Sequence, residues 1–204
     1  GVEQHVILTA VGQDAYMWRG KVIEADTLLE AGRPIVVYDS LSVREGVTLS
    51  MAAGVQLYFH DGANLWVHGR IVAEGTVDRP VVFRGDRTDR MFDYLPYDNT
   101  PSRWGGIRLK ATSTDNRLNH VDIHSASYGI ACDSSSTDVM KLTLENSVIH
   151  NVGGEGLGLY HCRASVGNTQ ISNTLGHCVA VVGGWAEFVH CTLAQFYPWD
   201  ATRG

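Results

Sequence analysis

The chain repeats itself at a short period. Val121-Asp-Ile123, Ser147-Val-Ile149, Thr169-Gln-Ile171 and Cys191-Thr-Leu193 open successive units 22 to 26 residues apart. Each of the first three then passes through a polar bend into a second apolar segment: Gly129-Ile-Ala-Cys132, Gly156-Leu-Gly-Leu159 and Cys178-Val-Ala-Val181. The first half behaves alike. Leu41, Val43, Val47 and Leu49 match Leu65, Val67, Ile71 and Ala73 at a distance of 24 residues, and Val55 and Leu57 match Val81 and Phe83 at 26. Apolar residues alternate within each segment, a period of 2 that specifies strand rather than helix. A unit this short, made of strands alone, cannot cover its own apolar face and has to stack on its neighbours.

Few architectures accept such a unit. The leucine-rich signature is absent, and propeller blades need about 40 residues. What remains is an all-β fold, a single-stranded right-handed parallel β-helix. Each repeat makes one coil of three strands, about 4.8 Å above the last. Stacking requires equivalent positions to lie over one another. His120, Asn146, Asn168 and His190 form one such polar column, three residues before the aligned Ile or Leu. Ser125, Asn151, Asn173 and Gln195 form another, two residues after it. Amide-rich columns at bends can hydrogen-bond along the stack.

Composition narrows the function. The chain of 204 residues has 22 Gly and only 19% charged residues, in keeping with many short strands and tight corners. Its net charge of −6, with no separate block of Lys or Arg, argues against a nucleic-acid partner. No apolar run reaches the roughly 20 residues of a membrane-spanning helix. Residues 1–34, with Trp18, Val22, Ile23, Leu28 and Leu29, are expected to form an N-terminal cap, because a first coil otherwise exposes its apolar cross-section. Residues 35–204 are expected to form the β-helix. Its last coil begins at Cys191 with no polar cap after it, so continuation of the chain or end-to-end packing on another molecule is expected there.

Residues 84–103 interrupt the repeat. This insertion concentrates four Arg, four Asp and three aromatic residues in a charge-poor chain. Excursions from a solenoid often carry its binding surface. Tyr94, Tyr97 and Trp104 could stack on sugar rings, while Arg90 and Asp93 could bond hydroxyls or pair with uronate carboxylates. The competing reading is a loop that satisfies its own charges. Asp86, Asp89, Asp93 and Asp98 are the one candidate set for Ca²⁺, but their spacing does not match an EF-hand loop, and no cofactor is expected. His124 and His150 share an outward column one coil apart, with Asp122 nearby. They are read as a solvated surface pair rather than a metal site. Cys132, Cys178 and Cys191 fall in rows that hold apolar residues elsewhere and are read as free thiols, while Cys162 is left open, with a bridge to Cys191 as its alternative.

The series Val47-Thr-Leu-Ser, Gly62-Ala-Asn-Leu, Gly69-Arg-Ile-Val-Ala-Glu-Gly75, Pro80-Val-Val-Phe and Trp104-Gly-Gly-Ile107 resembles the opening coils of secreted bacterial β-helix proteins of the pectin-lyase-like fold. The resemblance spans residues 35–197. It implies an extracytoplasmic, secreted or cell-surface setting, with polysaccharide as the partner. It does not imply a reaction, since this fold carries lyases, hydrolases, epimerases and adhesins. The Asn-Thr-Asp, Asp-Asp, Gly-His-Gly and Arg-Ile-Lys series of the polygalacturonate hydrolases is missing, and no paired carboxylates align on neighbouring coils. The expected function is therefore carbohydrate binding or interaction without a catalytic constellation. The alternatives are a polysaccharide lyase or glycoside hydrolase, or a purely structural surface module.

Overall fold

The structure, a computed structural model, describes residues 14–195. It is an all-β solenoid of about eight turns, 57% strand. Among the described residues no helix is long and apolar enough to cross a membrane. Every pairing in the large sheet is parallel and joins one coil to the next.

Three faces build each coil. The first stacks Leu41, Leu65, Ile107, Ile130, Leu157 and Val179 in one inward row. The second stacks Leu49, Ile71, Asn116, Leu142 and Ala164, with Asn116 placed by the registered pairs that follow it. The third stacks Ile35, Leu57, Phe83, Ile123, Ile149, Ile171 and Leu193. The inward residues from Leu41 to Ile171 are almost wholly shielded from water and form one continuous core. At about 25 cal/mol per Å² of buried apolar surface, stacked rows of this kind are the main favourable contribution to folding.

One register differs from the repeat read off the sequence. Leu41 and Val43 do face Leu65 and Val67, but Leu49 pairs with Ile71 and Met51 with Ala73, so Val47 is not the partner of Ile71. The bend between the first and second faces is two residues longer in the earlier coil. A slip of two preserves inward and outward parity, and the core survives it.

The polar columns mark the corners. His120, Asn146, Asn168 and His190 all have φ between +46° and +55°, and Ser125, Asn151 and Asn173 between +52° and +56°. A single left-handed residue turns the strand sharply onto the next face. Asn tolerates that conformation better than most residues with a Cβ. The amide ladder exists, but its path shifts by one position at the lower end. Asn168 donates to Asn146 Oδ1 (3.4 Å), Asn146 to Asn119 Oδ1 (2.9 Å) and Asn119 to Glu74 (3.2 Å). In the second column the side chains serve the backbone instead. Ser125 Oγ accepts from Gly85 N–H at 3.0 Å, and Gln195 Oε1 accepts from Thr174 N–H at 3.0 Å.

The segment expected to cap the solenoid holds two strands that stack on the next coil. Tyr16–Ile23 and Thr27–Leu29 pair in register with the following coil. Residues 1–13 and 196–204, with the ends of both expectations about the termini, lie outside the described residues. All four cysteines are free thiols, so the alternative Cys162–Cys191 bridge is not formed. Cys132 and Cys162 are buried, whereas Cys178 and Cys191 are half-buried.

Candidate functional site

The insertion leaves the solenoid after the strand Val81–Gly85 and returns at Gly106–Leu109. Its tip is a small antiparallel hairpin, Arg90–Phe92 against Leu95–Pro96, followed by a 3-10 turn at Tyr97–Asn99. Most of its charges are spent within it. Arg87 pairs with Asp89 and lies over the Tyr97 ring, Arg90 donates to the Asp93 carbonyl, and Arg103 donates to the Pro101 carbonyl.

The five residues expected to bind sugar therefore separate. Arg90, Asp93 and Tyr94 sit exposed at the tip, where Tyr94 stacks on Phe92 with ring centroids 5.6 Å apart. Tyr97 is half-buried beneath the guanidiniums of Arg87 and Arg103. Trp104 cannot meet a ligand, because it is 0% exposed. Its ring stacks on Phe59 at 4.3 Å and its indole N–H donates to the His124 carbonyl at 2.8 Å, so it anchors the root of the insertion. The four aspartates do not converge on a Ca²⁺ site either. Asp86 pairs with His60, Asp89 with Arg87, and Asp98 with Arg84 and His124.

That last contact creates a site on the outside of the third face. Asp122 and His124 flank Ile123, so strand alternation turns both outward, and His150 is His124's register partner one coil on. His124 Nδ1 meets Asp122 Oδ1 at 2.7 Å, and His150 Nε2 meets the same oxygen at 3.2 Å. The two rings stack with centroids 4.7 Å apart. From the other side Asp98 Oδ1 meets His124 Nε2 at 2.9 Å, while Arg84 holds Asp98 Oδ2 at 2.9 Å. His124 is thus not a solvated surface residue: its side chain is 8% exposed, because the insertion folds back over it.

Both ring nitrogens of His124 face carboxylate oxygens, which favours the imidazolium. Burial opposes that charge, but the hydrogen bonds to Asp122 and Asp98 outweigh it and raise the His124 pKa to about 9. Burial likewise pushes the Asp122 carboxyl up, and the bonds from His124 and His150 overcome this and hold it well below the usual carboxylate range. A ring that keeps both protons at neutral pH is no general base. The cluster acts as a charge clamp unless something displaces its protons.

A groove of about 540 Å³ runs along the corner between the second and third faces. His120, Asn146, Asn168 and His190 line it coil after coil, and Asp122 and Gln170 contribute from the third face. The sequence identified the column but gave it only a structural role. What it concealed is the depth of the corner, which depends on how the two faces meet. For Asp98, the signal was weaker still, since nothing in the spacing of an insertion says where its side chains land.

Comparison with known proteins returns no match: no family model, no curated protein and no solved structure shows significant similarity to the chain.

Proposed function

We propose that the chain is an extracytoplasmic carbohydrate-binding module that takes an extended polysaccharide along the corner groove. The observation that carries this reading is the groove lined by the left-handed column of His120, Asn146, Asn168 and His190. It presents amide and imidazole groups at each coil, over roughly 14 Å for three steps of about 4.8 Å. Sugar hydroxyls are donors and acceptors at once, and a repeated row of such groups suits a repeated polyol better than a compact apolar ligand. The setting outside the cell rests on the resemblance to secreted β-helix proteins. The exposed hairpin tip with Arg90, Asp93 and Tyr94 lies outside the groove lining and is a separate candidate contact for sugar.

The test is binding of the chain to a panel of immobilised neutral and acidic polysaccharides, followed by calorimetry. Replacing both Asn146 and Asn168 by Gly keeps the left-handed backbone and removes the amides. Affinity is expected to fall at least 10-fold while the circular dichroism spectrum stays that of a β-solenoid. Binding that survives this change and disappears with Tyr94→Ala would move the site to the insertion. Release of reducing ends or unsaturated uronates would make the chain an enzyme instead.

A further inference from the structure

We infer that Asp122, His124 and His150 form a binding site for one divalent transition-metal ion of the zinc class, with Asp98 of the insertion as the carboxylate that orients His124. Among the described residues this is the one group of three or more His, Cys, Asp or Glu side chains whose ligand atoms all lie within 4.8 Å of one another. The inference stands on this cluster and does not depend on the carbohydrate reading, although Asp122 also lines the groove.

The geometry suits the ion in three respects. The donor set, two imidazole nitrogens and a carboxylate oxygen, is that of a Zn²⁺, Co²⁺ or Ni²⁺ site and a poor one for Ca²⁺ or Mg²⁺, which take oxygen ligands. The stacked rings bring His124 Nδ1 and His150 Nε2 onto the same Asp122 oxygen, at 2.7 and 3.2 Å. Tetrahedral coordination at about 2.0–2.1 Å places ligand atoms about 3.3 Å apart, so the His150–Asp122 contact already matches and the His124–Asp122 contact has to open by about 0.6 Å. The third respect is the partner behind the ring. A metal-bound histidine usually gives its other N–H to a carboxylate, and His124 Nε2 already lies 2.9 Å from Asp98. Arg84 holds that carboxylate in turn. The ion replaces the hydrogen-bonding proton on His124 Nδ1, which leaves to solvent, and His150 binds the ion through Nε2 as a neutral imidazole with its proton on Nδ1. No bond to carbon forms or breaks. The Asp122 and His150 side chains are 34% and 24% exposed, so the ion has a way in and water can fill the remaining position.

The experiment is calorimetric titration of the untagged, chelator-stripped full chain with ZnCl₂ alone, paired with the visible spectrum of the Co²⁺-loaded chain. One equivalent of Zn²⁺ is expected to bind, and Co²⁺ is expected to give the visible bands of a tetrahedral site. His150→Ala and Asp122→Asn should each weaken binding at least 100-fold. Asp98→Asn should weaken it roughly 10- to 100-fold at unchanged stoichiometry, whereas replacing the exposed His68 by Ala should leave it unaltered. If a variant does not fold, the unmodified chain still decides: bound Co²⁺ must broaden the imidazole resonances of His124 and His150 and spare those of His60 and His190. Absence of binding to the unmodified chain, affinity unchanged by His150→Ala, or equal affinity for Ca²⁺ would each overturn the inference.

Discussion

A left-handed residue costs an ordinary side chain of order 1–2 kcal/mol, yet eleven non-glycine residues among those described adopt that conformation. The cost is contained by residue choice. Asn146 and Asn168 tolerate the conformation and return part of its cost through bonds to the coil below. His120 and His190 occupy the same column without that amide. At the same scale, His124 ties stability to pH. In the metal-free protein its folded pKa of about 9 lies above the ordinary value of 6.5. The groups facing it are Asp122 and His150 on the solenoid and Asp98 on the insertion, with Arg84 behind Asp98. Because the folded state holds the proton more tightly, the stabilisation is fully present below about pH 6.5 and is lost as pH rises through about 9. Its full size is about 3 kcal/mol, taken from the pKa difference. Urea midpoints in excess chelator should fall between pH 6 and pH 9.5, and His124→Gln should flatten most of that slope.

The insertion is buried at its root and exposed at its tip, and the two ends should respond differently to truncation. Trp104 is fully buried against Phe59 and satisfies the His124 carbonyl. Trp104→Ala is expected to cost about 3–5 kcal/mol, the usual price of deleting a buried aromatic ring. Phe92 is 54% exposed at the hairpin tip, and Phe92→Ala should shift stability by no more than about 0.5 kcal/mol. Equilibrium unfolding of the two variants checks both values, and a small loss at Trp104 would mean that the insertion is not anchored there. The element also shows how an aromatic residue in a charged loop misleads. Sequence reasoning gave Trp104 a ligand to stack on, and the solenoid's own Phe59 took that place.

Across the whole molecule each coil is stabilised by the coils on either side, so the same substitution should cost different amounts along one row. Ile149 is sandwiched between Ile123 and Ile171 and is 0% exposed. Leu193 lies further along that row and is 52% exposed. Ile149→Ala should destabilise by about 2–5 kcal/mol, and Leu193→Ala by less than about 1 kcal/mol. Thermal or urea unfolding of the pair tests this. Equal losses would contradict a stack in which neighbours supply the burial.

The fold was legible because stacking writes itself into the chain. A row such as Ile123, Ile149 and Ile171 must recur once per coil, and so must the polar residues that turn the corners, so period and alternation alone specify a parallel solenoid. Even the error of two residues at Val47 kept the inward set inward, since strand parity tolerates an even slip. The pair His124 and His150 was visible for the same reason, as was Asp122 beside it. Asp98 was not, because an insertion of twenty residues has no register with the coils it leaves. Its landing on His124 is settled by how the loop packs back on the third face. That contact buries His124 and leaves its stacked partner His150 half-buried, and local sequence carries no term for it. Sequence alone therefore determined the solenoid and its rows, through a periodicity that burial enforces. Tertiary structure alone decided the site, through contacts between parts of the chain that no period relates.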